Sequence, residues 1–270
     1  MIEFENVSKT YPGGTRAVED FSLTIPTGSL VALVGSSGSG KTTLLRMINR
    51  MVDPDSGRVL IDGADVREFD PIALRRSIGY VLQAGGLLPH WTVLDNVTTV
   101  LRLTGTPRRR ARSVAAEYLE RVGLDPALGN RYPAELSGGQ QQRVGVARAL
   151  APDPAILLMD EPFGAVDPIV RDELQRQLAE LQADLGKTIV LITHDVDEAF
   201  RLGDEVVVLR EHAAIAQRGT PSEILAAPAD DFVRDFVGSD TAARDLRIEL
   251  VGGRRVAVDG TGRPVGVLAE

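Results

Sequence analysis

The stretch Gly35-Ser-Ser-Gly-Ser-Gly-Lys41-Thr42 decides the reading of this chain. It fits G-x-x-x-x-G-K-[ST], a spacing in which small residues let backbone N–H groups close around phosphate oxygens while the lysine reaches the outer phosphates and the hydroxyl ligates magnesium. Gly35, Ser36, Ser37, Gly38, Ser39, Gly40, Lys41 and Thr42 are therefore candidate contacts to a nucleoside triphosphate. The flanks agree. Residues 29–34 form a short apolar run between Gly28 and Gly35, and residues 42–51 carry Leu44, Leu45 and Ile48 at helical spacing. A strand feeding a helix N-terminus puts unpaired N–H groups and the positive end of the helix dipole where an anion would sit. Lysine is scarce, at Lys9, Lys41 and Lys187 only, which makes its place in this motif the more telling.

At 270 residues and 43% apolar content, the chain can bury a sizeable core as one large domain or a domain with a subdomain. No run approaches the roughly 18 to 20 apolar residues of a membrane span, and Met1-Ile-Glu-Phe-Glu5 lacks a basic start followed by an apolar stretch, so a cytoplasmic location is expected. The absence of cysteine removes disulfides, thiolate metal sites and a cysteine nucleophile. A net charge of −8 argues against a broad nucleic-acid-binding surface, and no nucleic-acid partner is expected. The cluster Arg108-Arg-Arg-Ala-Arg112 reads as the solvated start of a helix.

Outward from the phosphate loop, residues 1–27 read as short strands, with Ile2, Phe4 and the run 21–25 as their apolar parts around a Pro12-Gly13-Gly14 turn. Strands at 59–61 and 78–82 flank a helix near 71–76. Helices are expected at 93–103, 110–122 and 140–150, a helical insertion spanning about 84–150. Strand and helix then alternate at 155–159, 169–185, 188–192, 196–202 and 206–209, which implies a largely parallel sheet covered by helices, an α/β fold.

Two more motifs carry chemistry. Ile156-Leu-Leu-Met-Asp160-Glu161 is an apolar strand ending in two carboxylates, where open α/β sheets place ligands; Asp160 would hold magnesium and Glu161 would orient and polarise an attacking water. Leu136-Ser-Gly-Gly-Gln140 begins a helix, and its glycines permit close backbone approach while Ser137 and the helix N-terminus offer donors to an anion.

The phosphate loop, this LSGGQ stretch, the strand with Asp160-Glu161, Ala165-Val-Asp167 and His194, in that order, resemble the ATP-binding cassette (ABC) ATPases over residues 1–238. The resemblance implies a P-loop NTPase core with an N-terminal antiparallel β subdomain and a helical signature subdomain. It implies ATP sandwiched in a head-to-tail homodimer, the phosphate loop of one copy facing Ser137, Gly138, Gly139 and Gln140 of the other. By the same resemblance Tyr11 stacks on adenine, Thr43 joins the nucleotide contacts, and Gln83 touches magnesium and the attacking water. Asp167 communicates across the dimer, and His194 contacts the γ-phosphate. The magnesium set is then Thr42, Gln83 and Asp160, and the catalytic set Glu161, His194 and Gln83. Glu161 is favoured over His194 as base because a carboxylate is ionised at pH 7 without tuning.

Around these motifs, residues 81–93, 161–171 and 228–238 resemble the ATPases of bacterial osmoprotectant importers, which handle glycine betaine, choline, carnitine and proline. That implies integral-membrane permease subunits as partners, a substrate-binding protein indirectly, and a peripheral position on the cytoplasmic side of the membrane. Residues 83–91 would then line the groove that receives a coupling helix from the permease. An importer ATPase for another solute, such as a polar amino acid, is the alternative; a soluble ABC protein acting on ribosomes or DNA is disfavoured by the single cassette. In the tail, 239–270, residues 255–268 alternate around a turn like a β-hairpin and resemble the end strands of a CBS module, with too little chain for a complete one.

Overall fold

Apolar residues at alternate positions pair the first two strands. In the computed structural model, which describes residues 1–164, 166–238, 246–252, 254–259 and 262–267, β1 (Ile2–Thr10) runs antiparallel to β2 (Arg16–Ile25) with Ile2 opposite Ile25 and Phe4 opposite Leu23. β3 (Leu30–Gly35) leads through the phosphate loop into α1 (Lys41–Ile48). β4 (Ser56–Ile61) and β5 (Ala64–Asp65) complete a four-stranded antiparallel sheet of order β2-β1-β4-β5. Phe4 meets Phe21 edge to face at 5.2 Å on its buried side. The expected β subdomain is present, with strands longer than their apolar cores because the polar alternate residues pair as well.

The chain continues through α2 (Pro71–Ser77), started by an Asp70 cap, and β6 (Ile78–Val81). The helical segment holds α3 (Val93–Val97), α4 (Thr99–Leu103), α5 (Arg108–Arg121) and α6 (Gly138–Leu150). The single helix expected over 93–103 is divided at Thr98. There the hydroxyls of Thr98 and Thr99 bond back to the Asp95 and Asn96 carbonyls, an alternative to the helical ladder that β-branched hydroxyl residues favour. Arg108, Arg109 and Arg110 are exposed at the start of α5, as their charge demands.

β7 (Ile156–Asp160), α7 (Pro168–Leu185), β8 (Thr188–Thr193), α8 (Val196–Leu202) and β9 (Glu205–Leu209) restore the alternation. β10 (Ile215–Gly219), α9 (Pro221–Ala226) and α10 (Asp231–Val237) follow. The main sheet has the order β10-β9-β3-β8-β7-β6 and is parallel except for the edge strand β10. All residues of β3 and β8 are buried, the mark of a parallel sheet covered on both faces. Alternate residues serve two cores. Ala32, Val34, Leu157 and Leu191 face the helical side, whereas Val31, Leu33, Leu158 and Val190 face α1 and the antiparallel sheet.

The tail forms a separate three-stranded antiparallel sheet, β11 (Arg247–Val251), β12 (Arg254–Val258) and β13 (Pro264–Val267). The hairpin expected over 255–268 is β12–β13, with Val256 opposite Val267, and β11 adds a strand that the alternation there did not announce. Ala165 of the Ala165-Val-Asp167 stretch, residues 239–245, Gly260 and Thr261 within the expected 255–268 hairpin, and Leu268 lie outside the described residues.

Candidate functional site

Three loops meet at the C-terminal ends of the parallel strands, where the strand order places a crevice. The first is the phosphate loop after the central strand β3. Gly40 sits at φ +93°, and a Cβ there would lie 2.3 Å from the Ala17 carbonyl oxygen, so glycine is required twice over. α1 has no side-chain cap, which leaves its first N–H groups directed at the loop. Lys41 is buried, its Nζ donating to the Gly35 oxygen (2.7 Å), the Ser36 oxygen (2.8 Å) and Ser39 Oγ (3.2 Å). Burial lowers the pKa of this ammonium, and the nearby Glu161 and Asp160 carboxylates oppose that shift. The Tyr11 hydroxyl lies 3.3 Å from Thr43 Oγ1, which places the ring beside the first turn of α1.

The second loop follows β7. Thr42 Oγ1 lies 3.4 Å from Asp160 Oδ1, joining the first two loops at the position expected of a metal site. Burial raises the Asp160 pKa, opposed by bonds from Tyr80 and Thr42 and by Arg46. Glu161 is held at φ +45°, a left-handed conformation that costs a side-chain-bearing residue on the order of 1 kcal/mol and clusters at functional sites. Its N–H donates to the Ile192 oxygen at 3.0 Å, so the strain is fixed by the neighbouring strand.

The third loop follows β8. His194 Nδ1 lies 3.3 Å from Glu161 Oε2, and Gln83 Nε2, from the turn after β6, donates to the same oxygen at 3.4 Å. The fold thus brings together the three residues that the sequence marks as catalytic, from three different strand ends. Gln83 presents Nε2 to Glu161, which leaves its Oε1 for a metal. Thr42, Asp160 and Gln83 offer oxygen donors only, which fits a small hard dication.

The LSGGQ stretch forms a capping box. Ser137 Oγ accepts from the Gln140 N–H (3.3 Å) and Gln140 Oε1 accepts from the Ser137 N–H (3.0 Å), which leaves the serine hydroxyl hydrogen free to point outward. Ser137 and Gly138 are exposed and Gly139 is buried. Asp167 is also exposed, and its carbonyl receives the Arg171 N–H at 2.8 Å.

The Gln83 turn is fastened to the signature helix. A Cβ on Gly145 would lie 3.0 Å from Gly85 Cα, and one on Gly85 would lie 2.7 Å from the Gln141 oxygen. Arg148 donates to the Gly85 and Gly86 oxygens, both at 2.8 Å. Sequence reasoning passed over Arg148, as it did Ala213, whose N–H braces the Ser39 oxygen at 2.9 Å. It also passed over Thr193 and Glu198. Thr193 Oγ1 accepts from the Asp195 N–H (3.0 Å) and donates to Glu198 Oε2 (3.1 Å), which shapes the turn carrying His194.

Residues 18–164 match the family model described as "ABC transporter". The chain belongs to the ABC transporter family. It is 50% identical over 240 residues to the choline transport ATP-binding protein OpuBA of Bacillus subtilis, covering 89% of this chain and 63% of that protein. It is 48% identical over 257 residues to the glycine betaine uptake system ATP-binding protein YehX of Escherichia coli, covering 95% of this chain and 82% of that one. The chain thus spans less than two thirds of the length of OpuBA. Among solved structures, a bacterial ABC transporter cassette determined as a dimer superposes with a TM-score of 0.74 at 36% identity, covering 82% of this chain and 99% of that one. The α/β cassette fold, with its β and helical subdomains, is therefore as expected.

Proposed function

We propose that this ABC family member hydrolyses ATP to drive import of a quaternary-amine osmoprotectant such as glycine betaine, choline or carnitine. The observation that carries the ATPase reading is the convergence of Gln83 and His194 on Glu161 Oε2, beside a buried Lys41 and a Thr42–Asp160 pair. The cargo rests on relatives named for choline and glycine betaine transport.

In this reading Gly35, Ser36, Ser37, Gly38, Ser39 and Gly40 wrap the phosphates with backbone N–H groups, Lys41 leaves its carbonyl partners for the outer phosphates, and Tyr11 and Thr43 sit on the adenosine side. Bound magnesium supplies electrostatic stabilisation of the charge that builds on the phosphates. Thr42, Asp160 and Gln83 hold it. Glu161 orients water and takes its proton, and His194 braces Glu161 and steadies the γ-phosphate. Ser137 and Gly138, exposed on their own subunit, lead Gly139 and Gln140 toward the nucleotide of a second copy, with Asp167 at that interface. Exposed Leu82, Leu88 and Trp91, beside the turn fastened to α6, form the surface for a permease helix on the cytoplasmic side of the membrane. Among the described residues no helix is long and apolar enough to cross a membrane. A substrate-binding protein completes the proposed assembly. We read residues 1–238 as the cassette and 239–270 as a tail like part of a CBS module.

The test is ATPase activity of the chain reconstituted in liposomes with a permease and a binding protein. Stimulation by glycine betaine-loaded binding protein is expected. Equal turnover with loaded, empty or omitted binding protein contradicts the importer reading.

A further inference from the structure

Tyr80 lies on β6 opposite Leu158 of β7, two residues before Asp160 on the adjoining strand. Its hydroxyl donates to Asp160 Oδ2 at 3.2 Å, while Asp160 Oδ1 faces Thr42 Oγ1 at 3.4 Å. One carboxylate therefore has its two oxygens divided between two tasks. The Arg46 guanidinium, from α1, adds a positive charge near both groups. The last torsion of an aspartate is broad and two-fold, and without a partner on Oδ2 the carboxylate would rotate freely beside Thr42. Phenylalanine would fill the same half-buried position on β6 and supply no such bond.

We propose that Tyr80 is a positioning residue of the magnesium site, holding Asp160 by Oδ2 so that Oδ1 stays turned toward Thr42. The inference rests on reading Thr42 and Asp160 as metal-site residues, and its test separates the two.

Binding of a fluorescent ATP analogue to the full chain is titrated with Mg2+ for the wild type, Tyr80→Phe and Asp160→Asn, with parallel titrations of the analogue in EDTA. The proposal expects Tyr80→Phe to raise the Mg2+ midpoint about tenfold or more, the scale of one hydrogen bond to a charged group. Metal-free affinity and melting temperature should stay at the wild-type values, and turnover should recover at saturating Mg2+. A midpoint within twofold of the wild type overturns the role of Tyr80 if Asp160→Asn shifts it. An equal loss of affinity in EDTA also overturns it, because a purely structural defect acts without metal. If Asp160→Asn leaves the midpoint unmoved, the metal-site reading itself falls.

Discussion

His194 places Nδ1 3.3 Å from Oε2 of Glu161 across the ends of two neighbouring parallel strands. Asp160 stands opposite Ile192 in that register, so each residue leaves its strand within two positions of the other. The contact ties the proposed base to the group that braces it. His194→Ala should lower kcat by roughly a hundredfold or more, the cost of removing one polar group from a charge-stabilising site, with ATP affinity within about threefold of the wild type. Unchanged kcat in a stopped-assay measurement would show that the contact has no part in turnover.

The close approach of Gly85 to α6 predicts a mechanical effect. Gly85 lies at φ +74°, and a Cβ there would meet the Gln141 backbone oxygen at 2.7 Å. Gly85→Ala should therefore cost about 2 kcal/mol of stability and push the Gln83 turn off the signature helix. Turnover should fall with it, since Gln83 loses its place at Glu161. A thermal melt and an ATPase rate both at wild-type values would rule this out.

Glu198 supplies a pH dependence. It is buried, its Oε1 has no partner among the described residues, and burial raises its pKa to about 7 from the ordinary 4.5. Asp195 and Glu161 push in the same direction, while Arg171, from α7, and the Thr193 hydroxyl oppose them. The folded state holds this proton more tightly than the unfolded chain does, so between pH 4.5 and 7 stability falls as pH rises. Above that window the penalty is complete, at about 3 kcal/mol as an order of magnitude. Glu198→Gln removes the charge and keeps the shape. Its melting temperature should exceed the wild type's at pH 8, with the difference shrinking toward pH 5. A difference that does not change with pH would contradict the raised pKa.

Much of the site was legible because its residues answer to local rules. Gly40 is required by a positive φ and a 2.3 Å approach to Ala17, and such a demand leaves a glycine in the sequence wherever the loop is built. Asp160 and Glu161 are legible as the polar end of an apolar strand. Tyr80, Arg148 and Ala213 were not, because each acts through a partner 62 to 174 positions away that only the sheet register or helix docking brings near. α9 is a different case. Thr220, Pro221 and Glu223 form a capping box with proline at its start, a legible signal that the apolar pattern alone did not reveal. The short, partly exposed β10 and the short apolar face of α10 gave too little periodicity to stand out.

The central claim is that one copy of this chain holds half of a composite ATP site. It is tested most directly by Glu161→Gln, which keeps the side chain's shape and removes its charge. The mass of that variant is measured by light scattering with and without ATP and Mg2+, alongside its ATPase rate. A dimer is expected only when nucleotide is present, with turnover reduced roughly a hundredfold or more. A variant that stays monomeric in ATP and hydrolyses it at the wild-type rate would contradict both the base and the shared site.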